Sequence, residues 1–455
     1  MGPLSSHVNI EATMQTRPTL TAFAVFGNAR TCTETEVVIL GAGVAGMTAA
    51  ETLHNNGVED FIVLEYQDRI GGRMHEVTFG KGQQYVVEAG ANWVHGTGGP
   101  ETHVNPIWDL AIKASLRTLT SDVENATVYD QTGEIPPELL FNALEAVSDA
   151  DSEVLADAGI RLHHHLEDRT YRAALRRQGW NPKETNHSQG GRNFRDLYRS
   201  NDQCDGQRRF SIILRNVADP LFEGQNAWRL RKNTIVKEIE HDDDSVTAYS
   251  TDGKCVRANC EVYARATKVE ERCHCELRNG HVYQNIHAIS AFLLAHEPPL
   301  DVPGMLEGSN ILVVTVVNDQ AHRVERQSED KTQAEIMEVL RKVFGDEIIP
   351  EPIEIYYTKW TQNPWSYGSY SNWAPAVSAQ THRNLRANVG RVFFAGEATS
   401  PSFSGFLHGA YYEGKRAAKS ITSCYDDPGW GDCMPDREGV GTTPILSSRN
   451  HGYSV

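Results

Sequence analysis

The stretch 36–53, EVVILGAGVAGMTAAETL, constrains the fold more than any other part of the chain. An apolar run ends in three glycines, Gly41, Gly43 and Gly46, and passes directly into a helix-forming segment. Each glycine has its own mechanical use in such a turn. Gly41 takes the tight bend, Gly43 lets a pyrophosphate come up to the backbone, and Gly46 lets the helix pack close on the strand. The unpaired N–H groups at the helix start, around Ala45, then face the phosphates with the positive end of the helix dipole behind them. About twenty residues on, the run FIVLE delivers Glu65 at the end of a second strand, placed to accept hydrogen bonds from a ribose. Strand, turn, helix, strand and acid in this register predict a dinucleotide site in an α/β fold.

Which dinucleotide follows from two further segments. YQDRIGGRMHE places Arg69 and Arg73 around a Gly-Gly turn just after the ribose strand, suited to lay a guanidinium against a pyrophosphate. Near the other end, RVFFAGEATSPSFSGFLHGAYYEGKRAA (391–418) reads as a strand, then Glu397, then a helix opened by Gly405, Gly409 and Ala410. The Glu397 carboxylate suits ribityl or phosphate groups. Amides at the helix start suit a flavin ring, where positive potential stabilises the charge of reduced flavin. A dinucleotide unit at the start and a strand–helix closure near the end is a flavoprotein layout, so the expected cofactor is FAD.

The formal net charge of −17 repels phosphate backbones and concentrates cations, which disfavours nucleic acid as a partner and favours a cationic substrate. No run approaches the ~18 apolar residues of a membrane span. The segment 14–30, MQTRPTLTAFAVFGNAR, has a basic residue and a short apolar run like a signal peptide, which leaves cytoplasmic and secreted locations both open. Eight cysteines in a chain of this length are not expected to form a disulfide framework, and Cys255, Cys260, Cys273 and Cys275 lack the paired spacing of a zinc site, so no metal is expected.

The organisation expected is a Rossmann-type FAD-binding domain assembled from 34–115, 205–265 and 355–424, with a mixed α+β substrate-binding domain from 116–204 and 266–354. Residues 1–33 read as a leader and 425–455 as a disordered tail. Alternating apolar positions over 229–262 predict a β-meander that turns at Asp252-Gly253. ILVVTVVND (311–319) predicts a buried strand, and KTQAEIMEVLRKVFG (331–345) an amphipathic helix.

With these segments together, the chain resembles the FAD-dependent amine oxidases, and among them the polyamine oxidases. EAGANWVHG (88–96) and TKWTQNPWSYGSYSNW (358–373) carry the resemblance beyond the two stretches already quoted. It implies oxidation of an amine's C–N bond by hydride transfer to non-covalent FAD, which O2 reoxidises to give H2O2, an aldehyde and a shorter amine. It also implies that the backbone of Gly90, Ala91, Asn92 and Trp93 approaches the flavin, and that His95 lines the substrate tunnel. Trp360 would lie near the ring, Tyr370 and Phe406 would flank the amine, and a backbone group of Val236 would read the adenine. The alternative for His95 is a histidine satisfied by its own loop. Two expected pieces are missing: a Trp-rich segment near 190–205, and a lysine-bearing strand beyond 262, where Lys268 falls too early. An active polyamine oxidase and a flavin-binding relative with impaired turnover both remain open, as does oxidation of another amine. Oligomeric state is not legible.

Overall fold

A computed structural model describes residues 31–82, 85–97, 105–120, 210–264, 309–345 apart from 315 and 317, 349–371 and 379–425. Short pieces at 129–130, 133–134, 171–178, 201–204 and 453–454 and isolated positions between 136 and 164 are also described. Strand β1 (Thr33–Leu40) runs into helix α1 (Val44–Asn55) and returns as β2 (Phe61–Leu64), parallel to β1 with Val37 opposite Phe61. The runs VVIL and FIVL are apolar at every position because both faces of these strands are covered.

The hairpin β3 (Glu76–Phe79) and β4 (Tyr85–Glu88) leads to β5 (Trp93–His95) and helix α2 (Pro106–Lys113). Helix α3 (Ile212–Phe222) packs on α1, and its start is held by carboxylates from the hairpin: Phe210 N donates to Glu88 and Ser211 Oγ to Glu76. Strand β6 (Leu230–Arg231) extends the sheet beyond β2. Strands β7 (Val236–His241), β8 (Val246–Ser250) and β9 (Cys255–Tyr263) form the expected meander, with Gly253 at φ 85° in the β8–β9 turn.

Strand β9 is the seam of the sheet. Its first residues pair antiparallel with β8, the stretch from Val256 to Tyr263 pairs parallel with β1, and Glu261–Tyr263 pair parallel with β10 (Val392–Phe394). The parallel strands therefore run β6-β2-β1-β9-β10, an α/β arrangement with the meander attached to one side. Helices α4 (Asn318–Glu325), α5 (Glu329–Phe344) and α6 (Ala379–Arg386) precede β10. Helix α7 (Leu407–Tyr425) follows it and lies along α1. The larger core joins Val37, Ile39, Phe61 and Val63 to Met47, Leu53, Leu214 and Ile421 of the helices, and the smaller joins the opposite strand faces to the meander.

Three expectations change. Residues 311–314 form no strand and Leu312 is half exposed, while α4 begins at Asn318, inside the segment expected to be strand. Apolar content alone cannot tell a buried strand from a segment that lines an open cavity. The leader gives way to β1 at Thr33, and Cys32 is bonded to Cys255 across a Cα–Cα distance of 4.7 Å. Parallel pairing of Thr33 with Val256 brings these cysteines together from 223 residues apart, a proximity that local spacing does not reveal. In the tail, α7 reaches Tyr425 and Tyr453–Ser454 add a short strand to β7; the rest of 426–455 lies outside the described residues. The helix expected at 331–345 is present, capped by the Ser328 side chain on Lys331 N.

One residue works against the fold. Glu261 stands opposite Val38 and Val392 of the smaller core, fully buried, with neither carboxyl oxygen hydrogen-bonded. Burial pushes its carboxyl from the ordinary 4.5 up to about 8. Below the lower value the group is protonated in folded and unfolded chains alike and adds no pH dependence to stability. As pH rises through the window, the unfolded chain releases the proton and the folded chain keeps it, so stability falls until about pH 8 and then levels. Glu261→Val is expected to raise Tm by several degrees more at pH 8 than at pH 5 in calorimetric scans. Equal shifts at both pH values would show that the carboxyl does not titrate in this window.

Candidate active site

The glycine turn separates into three tasks. Gly41 bends at φ 101° while its N–H donates to Leu64 O at 2.8 Å, which ties the end of β1 to β2. A Cβ on Gly43 would meet nothing within 4 Å, so this part of the turn faces open space. A Cβ on Gly46 would come within 1.9 Å of Gly41 O, so the helix lies against the turn with no room for a side chain. Glu65, 2% exposed, accepts from Ala42 N at 2.6 Å and Gln67 N at 2.9 Å. Burial raises its carboxyl above the ordinary range, and those two N–H groups pull it partly back.

The two arginines divide. Arg69 folds back on its own loop, donating to Ile70 O at 3.3 Å, Gly72 O at 2.9 Å and Met74 O at 3.1 Å. It braces the Gly71-Gly72 turn, whose Gly71 bridges to Gly43, so its expected pyrophosphate contact gives way to a structural one. Arg73 alone reaches outward, donating to Glu397 Oε1 at 2.8 Å and Ser369 O at 3.2 Å. Glu397, 7% exposed, also accepts from Ser371 N at 3.1 Å, Gly405 N at 2.7 Å and the Ser371 hydroxyl. This carboxylate joins the arginine loop, the segment before Asn372 and the turn into α7 at one point. Ser371 was not anticipated; it is the residue next to Tyr370 in GSYSNW.

Beyond Glu397 the wall becomes aromatic. The His95 and Phe406 rings meet edge to face at 5.0 Å. Tyr370 Cδ2 lies 3.7 Å from where a Cβ on Gly405 would stand, and the residue is 62% exposed. Trp360 packs against His75 at 6.3 Å. Burial, with Arg69 nearby, lowers the His75 imidazole below its usual range. One cavity of about 1680 Å³ is lined by the residues expected at the site except Gly46, Arg69 and Gly409, whose places are in the packing. Gly41, Gly43, Glu65 and Val236 stand at one part of it, and His95, Tyr370 and Phe406 at another, with Arg73, Glu397 and Trp93 also on its wall. The cavity continues to Ile336, Met337 and Leu340 of α5. These residues fit FAD: the open face at Gly43 and the buried acid at Glu65 match a dinucleotide, and the space continues past them. Sequence reading also passed over Asn105 and His408. The Asn-Pro pair before an apolar run is a recognisable helix start and marks Asn105 as a cap. No local signal marks His408.

Comparison with known proteins agrees with this geometry. The family model described as flavin containing amine oxidoreductase matches residues 44–220 and 297–422. Polyamine oxidase 7 of Oryza sativa subsp. japonica is 28% identical over 444 residues, covering 83% of this chain and 93% of that protein. Polyamine oxidase 1 of Zea mays is 26% identical, covering 85% and 90%. Lysine-specific histone demethylase 1B of Mus musculus is 25% identical over 85% of this chain but 53% of its own. Among solved structures, wild-type putrescine oxidase bound to putrescine superposes with a TM-score of 0.60 at 16% identity, covering 86% of this chain and all of that one, a likeness of fold. The stretch between the matched segments, 221–296, contains the meander and the region without the expected lysine.

The glycines make a paired test. Gly43→Ala is expected to leave Tm of the flavin-free protein within about two degrees, because the added methyl meets nothing, while FAD binding weakens about tenfold or more. Gly46→Ala is expected to lower Tm sharply or abolish soluble protein, because the methyl meets backbone. Thermal scans and flavin titration check both, and a Gly43→Ala protein that holds FAD normally would detach that face from the phosphates.

Proposed function

Since the chain belongs to the flavin containing amine oxidoreductases, we propose that it oxidises polyamines of the spermine and spermidine type, with non-covalent FAD as hydride acceptor and O2 as final oxidant. The observation that carries this reading is the single cavity that joins the dinucleotide turn to the His95–Phe406–Tyr370 wall. A flavin extended from Gly43 and Glu65 toward Gly405 would bring its ring beside those aromatics. The two plant relatives, both polyamine oxidases, support a polyamine substrate, and so does the surplus of acidic residues behind the net charge of −17. Residues 276–423 contain no cysteine that could tether the flavin. On this reading the Rossmann-type FAD domain comprises 34–115, 205–265 and 355–424, with the substrate domain from 116–204 and 266–354.

FAD, when bound, supplies the acceptor for the hydride leaving the carbon next to nitrogen; the resulting imine takes up water to give an aldehyde and a shorter amine, and O2 receives the two electrons as H2O2. The chain's own residues bind and orient. Arg73 and Glu397 fix the turn into α7, which would stand against the ring. Tyr370 and Phe406 offer aromatic faces to an amine that arrives as a cation and reacts as a neutral base. His95 would assist that deprotonation. A second reading, a flavin-binding relative with impaired turnover, draws on the departure of 262–300 from the family pattern, which lies almost wholly outside the described residues.

Two measurements test the reading. Spermine added without oxygen is expected to bleach the flavin band within minutes, while steady-state H2O2 production stays low because a chain without the lysine is slowed most in its reaction with O2. Stopped-flow absorbance separates the two steps, and a flavin that no amine reduces would select the impaired relative. His95→Ala is expected to stay folded and yellow but to lose about 10²–10⁴-fold in kcat/KM. An unchanged kcat/KM in that variant would leave His95 with a purely structural role.

A further inference from the structure

Three rings stand in a row at the edge of the cavity. Phe406 meets the His95 ring edge to face at 5.0 Å and lies nearly parallel to the His408 ring at 5.3 Å. His95 and Phe406 line the cavity, and His408 is packed behind them against Phe403 at 4.5 Å. Asn105, 7% exposed at the start of α2, ties the row together. Its Oδ1 accepts from Ile107 N at 2.9 Å, a capping bond that settles which end of the amide carries oxygen. Nδ2 therefore points the other way. It donates to the backbone O of His95 at 2.6 Å and lies 3.2 Å from His408 Nδ1. An amide NH2 only donates, so Nδ1 of His408 is the bare nitrogen and the ring proton belongs on Nε2.

Building on the amine oxidase reading, we propose that Asn105 is a positioning residue for the substrate wall: its Nδ2 holds His408 as the Nε2–H tautomer and fixes the His95 backbone, so that Phe406 is clamped between two oriented imidazoles. The consequence is electrostatic as well as steric. Burial, with His95 close by, pushes the His408 imidazole down to about 4, so it stays uncharged at neutral pH. A cationic substrate that must lose a proton before it reacts then meets no second positive charge behind Phe406. The Asn105 donor reinforces this, because protonation of His408 at Nδ1 would set two donors against each other.

Two substitutions in the full-length flavoprotein separate this role from helix capping. Asn105→Asp keeps an oxygen for Ile107 N and remains a good cap, but has no NH2. Asn105→Ala loses cap and donor together. For Asn105→Asp, flavin content is expected to match the native protein, while Tm falls by a few degrees because the second carboxylate oxygen is set against the His95 carbonyl. The ¹⁵N–¹H correlations of His408, identified by their loss in His408→Gln, are expected to move from the Nε2–H pattern toward Nδ1–H or imidazolium. Anaerobic flavin reduction by spermine is expected to slow about tenfold to a hundredfold with amine Kd unchanged, the pattern of misplaced but intact groups. Asn105→Ala is expected to lower Tm as well. A native His408 that carries its proton on Nδ1, or an Asn105→Asp protein with native His408 correlations and native reduction rate, would overturn the assignment. If spermine fails to reduce the native protein, the oxidase reading falls, and the tautomer spectrum decides the Asn105 contact by itself.

Discussion

Everything at the site depends on how closely α1 is gripped. On one side Gly46 lies against the Gly41 carbonyl, and on the other Gly414 of α7 lies so near Ala45 that a Cβ there would come within 2.2 Å of its carbonyl. The helix is held between backbone and backbone, without long side chains to absorb a shift. That grip sets where the free N–H groups at its start point, and hence where a phosphate can be bound. It also explains why α1 needs little amphipathic patterning: nine of its twelve residues are buried.

The same helix α7 that closes α1 carries the site's other anchor. Glu413, 2% exposed, accepts from Arg386 Nε and Nη2 at 3.0 and 3.1 Å and from Arg416 Nε at 2.7 Å, while Thr399 donates to it at 3.2 Å. Arg416 in turn donates to Phe394 O. The group binds α6, the end of β10 and the turn after Gly396 into one piece, directly behind the Glu397 carboxylate that receives Arg73. Buried ion pairs of this kind contribute little net stability after desolvation, and their use here is to specify one geometry for the loop that faces the cavity. Glu261 shows the contrast, a buried carboxyl with no hydrogen-bonding partner and no evident use.

The parts legible in the sequence were those whose cause is local. Three glycines, an acid at the right distance and a strand on each side specify the turn by sterics alone, and the meander declares itself through alternation and an Asp-Gly turn. What escaped was set by tertiary contact. Cys32 and Cys255 meet only because β1 and β9 pair in parallel. Arg69 and Arg73 have the same chemistry in the same loop, and only the fold shows that the first braces carbonyls while the second reaches Glu397. The apolar run within 311–319 reads as a strand because lining a cavity and forming a buried strand call for the same residues.

The seam at β9 has a consequence for how the chain is made. The sheet cannot be completed until β10 emerges, and the apolar flank of α1 is not covered until α7 follows it. At a synthesis rate of about 5–20 residues per second, the first helix waits on the order of tens of seconds for the last one. During that interval a partly closed sheet and an uncovered helix face are exposed to the ribosome's surroundings, so the nascent chain is a natural client for chaperones. A truncation before α7 would strand the protein in that state, however complete its dinucleotide motif.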